Sequence, residues 1–307
     1  MAMDAGMLSL PEDCIAAVIS FTTPRDICRL SSVSSLFKSA AESDVVWDRF
    51  LTPEYLSVIS GCGSSSLSMW SSKKELYLRA CHNPVLIDEG KLSFWLDKRS
   101  GKKCYMISTR ACKIEWGDTT IYWNWISLPE ARFPEVAKLI DVCLFDIEGK
   151  INTSLLSPRT TYVAYLVFKP TGEEYGFEDC PIDATVGFVG SEGRKQTIYL
   201  DTDRGLIPWD AWEQVDHVPW HAGLFNPGEP ITPSVPEEEE EEEEEEDHVF
   251  YVPSVRGDGW LETELGKFFY QGHEDGELEI IVMENLRLHW KSGLIFQGIE
   301  IRPKRSR

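Results

Sequence analysis

The sequence has little that could carry out bond chemistry. Its six histidines make no metal-ligand spacing, and there is no H-E-x-x-H, no G-x-S-x-G and no glycine loop to cradle a phosphate. Eight cysteines stand singly without one C-x-x-C pair, so reduced, partly buried thiols are expected and a zinc site is not. No run of about 18 apolar residues exists, and the start MAMDAGMLSLPEDC has neither a basic opening nor a long apolar stretch; no membrane span and no secretory leader are expected. Positive charge is scarce as well. Thirty Lys and Arg face 51 Asp and Glu, for a net charge of −21, or −11 without the ten glutamates Glu237 to Glu246. Such a chain repels phosphate backbones, so a nucleic-acid partner is disfavoured. The expectation is a non-catalytic protein with no cofactor and no metal. Its expected place is the cytoplasm, with the basic end PKRSR a weak aid to nuclear entry.

What is present divides into two textures. The first fifty residues read as short helices. Ser9 and Thr23 are plausible caps, each followed by a proline in the opening turn at Pro11 and Pro24. Ile15, Val18 and Ile19 share one face, and Ile27, Leu30, Val33, Leu36 and Phe37 continue at helical spacing. A third start near Ser43-Asp44 carries Val46, Trp47 and Phe50. A unit of about 45 residues with no disulfide or metal buries too little surface to stand alone. The spare apolar face therefore calls for a covering partner, against the bland alternative of a helical hairpin packed on the rest of the chain.

From about Asn83 the period changes to two. TTYVAYLVF is apolar on both faces, as in a central strand of a sandwich, whereas GELEIIVME sets Glu277, Glu279 and Ile281 against Leu278, Ile280 and Val282. About eight strands and no long helix predict a two-sheet antiparallel β-sandwich of jelly-roll type. The Gly/Ser-rich stretch 60–72 reads as a linker, and KKELYLRACH as a short amphipathic helix closing it. Residues 202–253, rich in Pro, Gly and Trp and holding the glutamate run, read as a long acidic insertion. Ten like charges in a row bury nothing; solvation is the bland role and attraction of a basic partner the sharper one.

The cluster IEWGDTTIYWNW sets Trp116 and Trp123 on either side of a Gly-Asp-Thr-Thr turn. A Trp face gives flat apolar area that a ligand can cover. The competing reading is core. If residues 121–125 form a strand, Ile121, Trp123 and Trp125 make one apolar stripe. That reading favours core for Trp125, leaves Trp123 balanced and leaves Trp116 exposed. Trp260 beside Asp258 is a weaker second candidate.

Two resemblances rest on these residues. Leu10-Pro11-Glu12, Val18-Ile19, Pro24 with Asp26, Leu30 with Val33, and Trp47 resemble the pattern of an F-box over residues 7–51; Ser34-Ser35 departs from the usual Cys-Lys or Cys-Arg. The resemblance implies docking on a Skp-type adaptor, and through it a cullin, in a ubiquitin ligase. It implies adaptor contact by Leu10, Pro11, Ile15, Val18, Ile19, Pro24, Leu30, Val33 and Trp47. After a linker and short helix at 52–82, residues 83–304 resemble the phloem protein 2 family in LIDVCLFDIEGKI, RGDGWLETELGKFF, DGELEIIVMEN and KSGLIFQGIEIRPK. The lectin Nictaba belongs to that family. The resemblance implies a jelly-roll-like sandwich binding N-acetylglucosamine oligomers and N-glycan cores, with Trp116 and Trp123 important for sugar and Asp118 a candidate by position. The implied role is substrate recognition in a ubiquitin ligase. Two alternatives are a lectin acting independently of ubiquitination, and a ligase receptor whose sandwich binds protein and no sugar.

Overall fold

The computed structural model describes residues 10–53, 55–57, 72–201, 251–272 and 276–305. The cap expected at Ser9, the linker up to residue 71, the acidic insertion at 202–250 with its glutamate run, and the turn His273-Glu274-Asp275 lie outside the described residues. No helix among the described residues is long and apolar enough to cross a membrane.

Helices come first; among the described residues they include α1 (Glu12–Ile19), α2 (Pro24–Leu30), α3 (Ser35–Glu42), α4 (Asp44–Asp48) and α5 (Lys73–His82). Thr23 caps α2 by accepting from the Asp26 N–H at 3.2 Å, ahead of proline at the first helical position. The apolar run from Ile27 to Phe37 does not make one helix. Ser31 and Ser32 donate their hydroxyls to Cys28 and Arg29 carbonyls at 2.7 and 2.6 Å, and Ser34 then caps α3 by accepting from the Phe37 N–H at 3.3 Å. Serine bonded to nearby backbone competes with the helix, and the chain turns. α1 and α3 pack through Ile15, Ala16 and Ile19 against Phe37, Ala40 and Ala41, all buried, and the Ser39 hydroxyl bonds Glu12 at 2.7 Å.

The strands follow in chain order: β1 (Val85–Ile87), β2 (Leu92–Leu96), β3 (Lys103–Ser108), β4 (Lys113–Ile114), β5 (Trp123–Ile126), β6 (Val136–Leu139) and β7 (Phe145–Asn152). Then come β8 (Thr160–Tyr175), β9 (Ile182–Phe188), β10 (Arg194–Ile198), β11 (Ser254–Val255), β12 (Leu261–Tyr270), β13 (Glu277–Glu284) and β14 (Ser292–Pro303). They form two antiparallel sheets. One runs β1-β2-β3-β14-β8-β12-β11, with β6 joining β14 and β5 joining β6; the other runs β10-β9-β13-β7-β4. Fourteen described strands replace the eight expected, because short edge strands such as β4 and β11 have too few residues to show a period. The sandwich itself is as expected. Leu278, Ile280 and Val282 face inward from β13, opposite Phe145, Ile147 and Ile151 of β7. Phe168 and Phe296 fill the facing sheet.

The fourth inward position of β13 is a carboxylate. Glu284 bonds the Lys291 ammonium, and both side chains are at most 1% exposed. Burial pushes the Glu284 carboxyl up, yet the Lys291 hydrogen bond and the N–H groups of Arg287 and Leu286 outweigh it, leaving Glu284 below the usual range. A second ionic group lies on the other face of the large sheet. There Arg256 and Arg302 bridge Glu262 and Glu300, beside a small separate core of Met106, Val167, Trp260 and Phe133.

The helical module is not free-standing. Its core is continuous with the sandwich, from Ile15 through Tyr77 and Phe94 to Ile301. Trp47 and Phe50 meet Tyr77 at ring-centroid distances of 5.1 and 5.7 Å, and Tyr55 meets Phe94 at 5.9 Å. The Tyr77 hydroxyl reaches the Asp97 carbonyl at 3.1 Å, and the Arg25 N–H bonds the Arg99 carbonyl at 3.2 Å. The shortage of core inferred for so small a unit is thus met in part by the chain's own α5 and β2, which a partner alone was expected to supply.

Candidate functional site

Two surfaces carry the residues singled out from the sequence. On the helical module the nine expected adaptor contacts separate into two groups. Leu10, Pro11, Val18 and Val33 are exposed, and Leu30 is half-buried. Ile15, Ile19, Pro24 and Trp47 are buried inside the chain. Those four are a correction. Ile15 and Ile19 stand one helical turn apart on the face turned toward α3, and the Trp47 indole N–H is tied to the Ala41 carbonyl at 2.7 Å. They support the surface from beneath. The sequence reading missed Phe21 and Val45, which are 74% and 63% exposed. The signal was present: Val45 stands beside inward Val46 and Trp47 on a single turn, so it must face away.

On the sandwich, the Trp116 turn is built by local backbone bonds. The N–H of Gly117 bonds the Ile114 carbonyl at 3.0 Å, that of Thr119 bonds Trp116 at 2.8 Å, and those of Tyr122 and Trp123 return to Thr119. Trp116 has φ +56°, a left-handed conformation that a bulky side chain adopts at a cost. The strained backbone holds its ring outward against Tyr122, with centroids 5.0 Å apart and planes tilted by 34°. Trp116 is 37% exposed and Ile121 66%, and Asp118 is exposed beside them.

Trp123 goes the other way. It is 1% exposed, packs on Phe145 and Phe296, and donates its indole N–H to the Glu115 carbonyl at 3.1 Å. The strand begins at Trp123, whose ring lies among Phe145 and Phe296 and supports the turn from below, while Ile121 stays in the turn. Its expected direct contact with sugar is corrected accordingly. Trp125, on the same face, is half-covered: Arg110 lies 3.6 Å over its ring, and its N–H bonds the Gly117 carbonyl at 3.0 Å. Trp260 is core, and Asp258 accepts its backbone N–H at 3.2 Å and pairs with Arg256.

Below the turn, Asp146 lies near Glu115, Glu148 and Lys113. Burial pushes its carboxyl above the usual range; Lys113 opposes this, and the carboxylates of Glu148 and Glu115 reinforce it. The turn thus has an aromatic shelf of two rings with acceptors at its edge, and no group poised for bond chemistry.

An aromatic groove was not foreseen. Tyr175 and Trp290, 62% and 48% exposed, border a hollow of about 480 Å³ with Glu178, Arg287 and His289. Gly176 makes the close approach possible: its φ is +81°, and a Cβ there would lie 2.0 Å from the Trp290 carbonyl oxygen. The groove adjoins the Trp116 turn through backbone. Lys291 exchanges hydrogen bonds with Val142, and the Ile140 N–H bonds the Tyr122 carbonyl. It was hidden because it joins the end of β8 to the turn before β14, about 115 residues apart in sequence.

Comparison with known proteins agrees with this division. A family model of phloem protein 2 matches residues 102–303, and one of the F-box domain matches residues 7–49. F-box protein PP2-B1 of Arabidopsis thaliana is 44% identical over 314 residues, covering 97% of this chain and 90% of that protein. F-box protein PP2-B10 of the same plant is 42% identical, covering 96% and 93%. F-box protein SKIP3, also from Arabidopsis thaliana, is 38% identical, covering 96% and 87%.

Proposed function

Since the chain belongs to the phloem protein 2 family and carries an F-box at its start, we propose that it is a substrate-recognition subunit of an SCF-type ubiquitin ligase. The helical module docks a Skp-type adaptor, and through it a cullin, by Leu10, Pro11, Val18, Val33 and half-buried Leu30, with Phe21 and Val45 extending the patch. The observation that carries this reading is the exposure of five large apolar side chains on so short a helical segment, Leu10, Val18, Phe21, Val33 and Val45, while its interior is already filled. Large apolar side chains left in water in such number on a short segment mark an interaction surface. Docking places a bound target near the transfer machinery and breaks no bond itself.

The sandwich selects that target. A glycan of the N-acetylglucosamine or N-glycan type stacks its apolar ring face on Trp116 and Tyr122, with Asp118 accepting from its hydroxyls. The exposed, tilted ring pair supports this reading, because an aromatic held outward by a strained backbone gains nothing for the fold. Two experiments separate the parts. Co-purification with a Skp-type adaptor is lost after Leu10→Ala with Pro11→Ala; retention of adaptor by that variant overturns the docking. A glycan array on the whole chain, presented multivalently because a single shallow contact is weak, loses its signal in Trp116→Ala. Equal signals from both chains leave the ligase reading with a protein-binding sandwich.

A further inference from the structure

Where the helical module meets the sandwich there is a cleft of about 270 Å³. Three distant pieces of chain line it: the opening of α2 with Thr23, Arg25, Asp26 and Arg29, the β2–β3 turn with Asp97, Arg99 and Ser100, and the end of β14 with Pro303, Lys304 and Arg305. Five of these ten residues are cationic. The two carboxylates are already engaged: Asp26 with the Thr23 hydroxyl at 2.7 Å and Arg29 at 3.3 Å, and Asp97 with the Ser100 N–H and hydroxyl at 2.8 and 2.7 Å. Arg25, Arg99, Lys304 and Arg305 make no side-chain hydrogen bond and no ion pair within 4 Å among the described residues; Arg25 acts on Asp26 only through space. Their backbones are fixed, by Arg25 N–H to the Arg99 carbonyl and Lys304 N–H to the Thr161 carbonyl at 2.8 Å.

Four unneutralised cations held together repel one another. In a chain where 51 carboxylates face 30 cations, counter-charges are plentiful, so gathering cations in one concave place opposes the general trend of the surface. We infer that the cleft is a binding site for a compact anion bearing several phosphate groups. The lining narrows the class. Among the described residues it contains no aromatic ring to hold a nucleobase and one proline, so recognition falls on charge and on the forked guanidinium donors of Arg25, Arg99 and Arg305. Bound there, the anion bridges α2, the β2–β3 turn and the end of the chain, and locks the two halves of the molecule together.

Calorimetric titration of the full chain with inorganic tripolyphosphate, at fixed ionic strength and with sulfate as the single-anion control, tests the site. The chain binds tripolyphosphate, binds sulfate far more weakly, and unfolds at a higher temperature when loaded. Arg99→Gln with Lys304→Gln binds tripolyphosphate at least about tenfold more weakly, since each lost charge-assisted bond is worth about 1.5–3 kcal/mol. Its unliganded melting temperature is at or above that of the parent, because neither side chain has a partner to lose among the described residues and the repulsion within the cleft is relieved. Arg194→Gln with Lys195→Gln, an equal charge change at two exposed sites on β10, leaves binding unchanged. No binding by the parent, or equal affinity in the parent and the double variant, overturns the assignment.

Discussion

The helical module and the sandwich treat apolar side chains in opposite ways. Within residues 10–48 the helices leave Leu10, Val18, Phe21, Val33 and Val45 in water while filling their interior with Ile15, Ile19, Phe37 and Trp47. The sandwich, several times longer, turns most of its large side chains inward and even buries an ion pair, Glu284 with Lys291. Among the described residues its exposed aromatics are Trp116 at its turn, Tyr175 and Trp290 at the groove, and Phe269 on β12. On the proposed function, the difference makes the first region one side of an interface and the second a fold that covers its own core. The helices leave apolar side chains for a partner, whereas at Trp116 a strained backbone holds the ring outward.

Substitutions at paired positions sharpen this contrast. The largest effect belongs to the inward tryptophan: Trp123→Ala lowers unfolding free energy by about 3–5 kcal/mol in a urea titration, through lost burial and the cavity left between Phe145 and Phe296. Glu284→Gln follows at about 3 kcal/mol, because it leaves the Lys291 ammonium buried without its counter-charge. The same substitution changes the response to acid. The Glu284 carboxyl is held below its unfolded value, so its contribution is present above the unfolded value of about 4.3 and is lost as pH falls through the lower folded value. Stability of Glu284→Gln measured by thermal unfolding is therefore flatter than that of the parent as the pH falls below about 4.3. Ser34→Ala removes the α3 cap and costs about 1 kcal/mol. Trp116→Ala is smallest, within about 0.5–1 kcal/mol, since the ring is partly in water and its main loss is the contact with Tyr122, while the Cβ at positive φ is unchanged. A large destabilisation by Trp116→Ala would place that ring in the core with Trp123 and end the contrast.

Much of the fold was legible in local pattern. Thr23-Pro24 announced a helix start because cap chemistry acts over three residues, and Leu278, Ile280 and Val282 announced an inward face because strand alternation is strict. The break at Ser31 to Ser34 was not legible, since the apolar spacing runs unbroken through it and the serine bonds that stop the helix have no periodic signature. The two tryptophans beside one turn could not be told apart for a similar reason. Alternation puts Trp123 and Trp125 on one face but does not say which face meets the core, and Trp116 lies in a turn that has no period at all. The buried pair spans seven residues across an aperiodic turn, and the basic cleft joins pieces that only the packing of α2 on the sandwich brings together.

Adaptor binding set against folding tests the account most directly. Val18→Asp with Val33→Asp changes two exposed side chains that contribute little to the interior. Titrating a purified Skp-type adaptor into parent and variant, with thermal unfolding of each followed alongside, separates docking from stability. The account predicts an unfolding temperature within a few degrees of the parent and adaptor affinity lowered about a hundredfold or more, as charge enters an apolar contact. An unfolded variant identifies those valines as core, and a folded variant that binds the adaptor as tightly as the parent contradicts the division of labour on which the account stands.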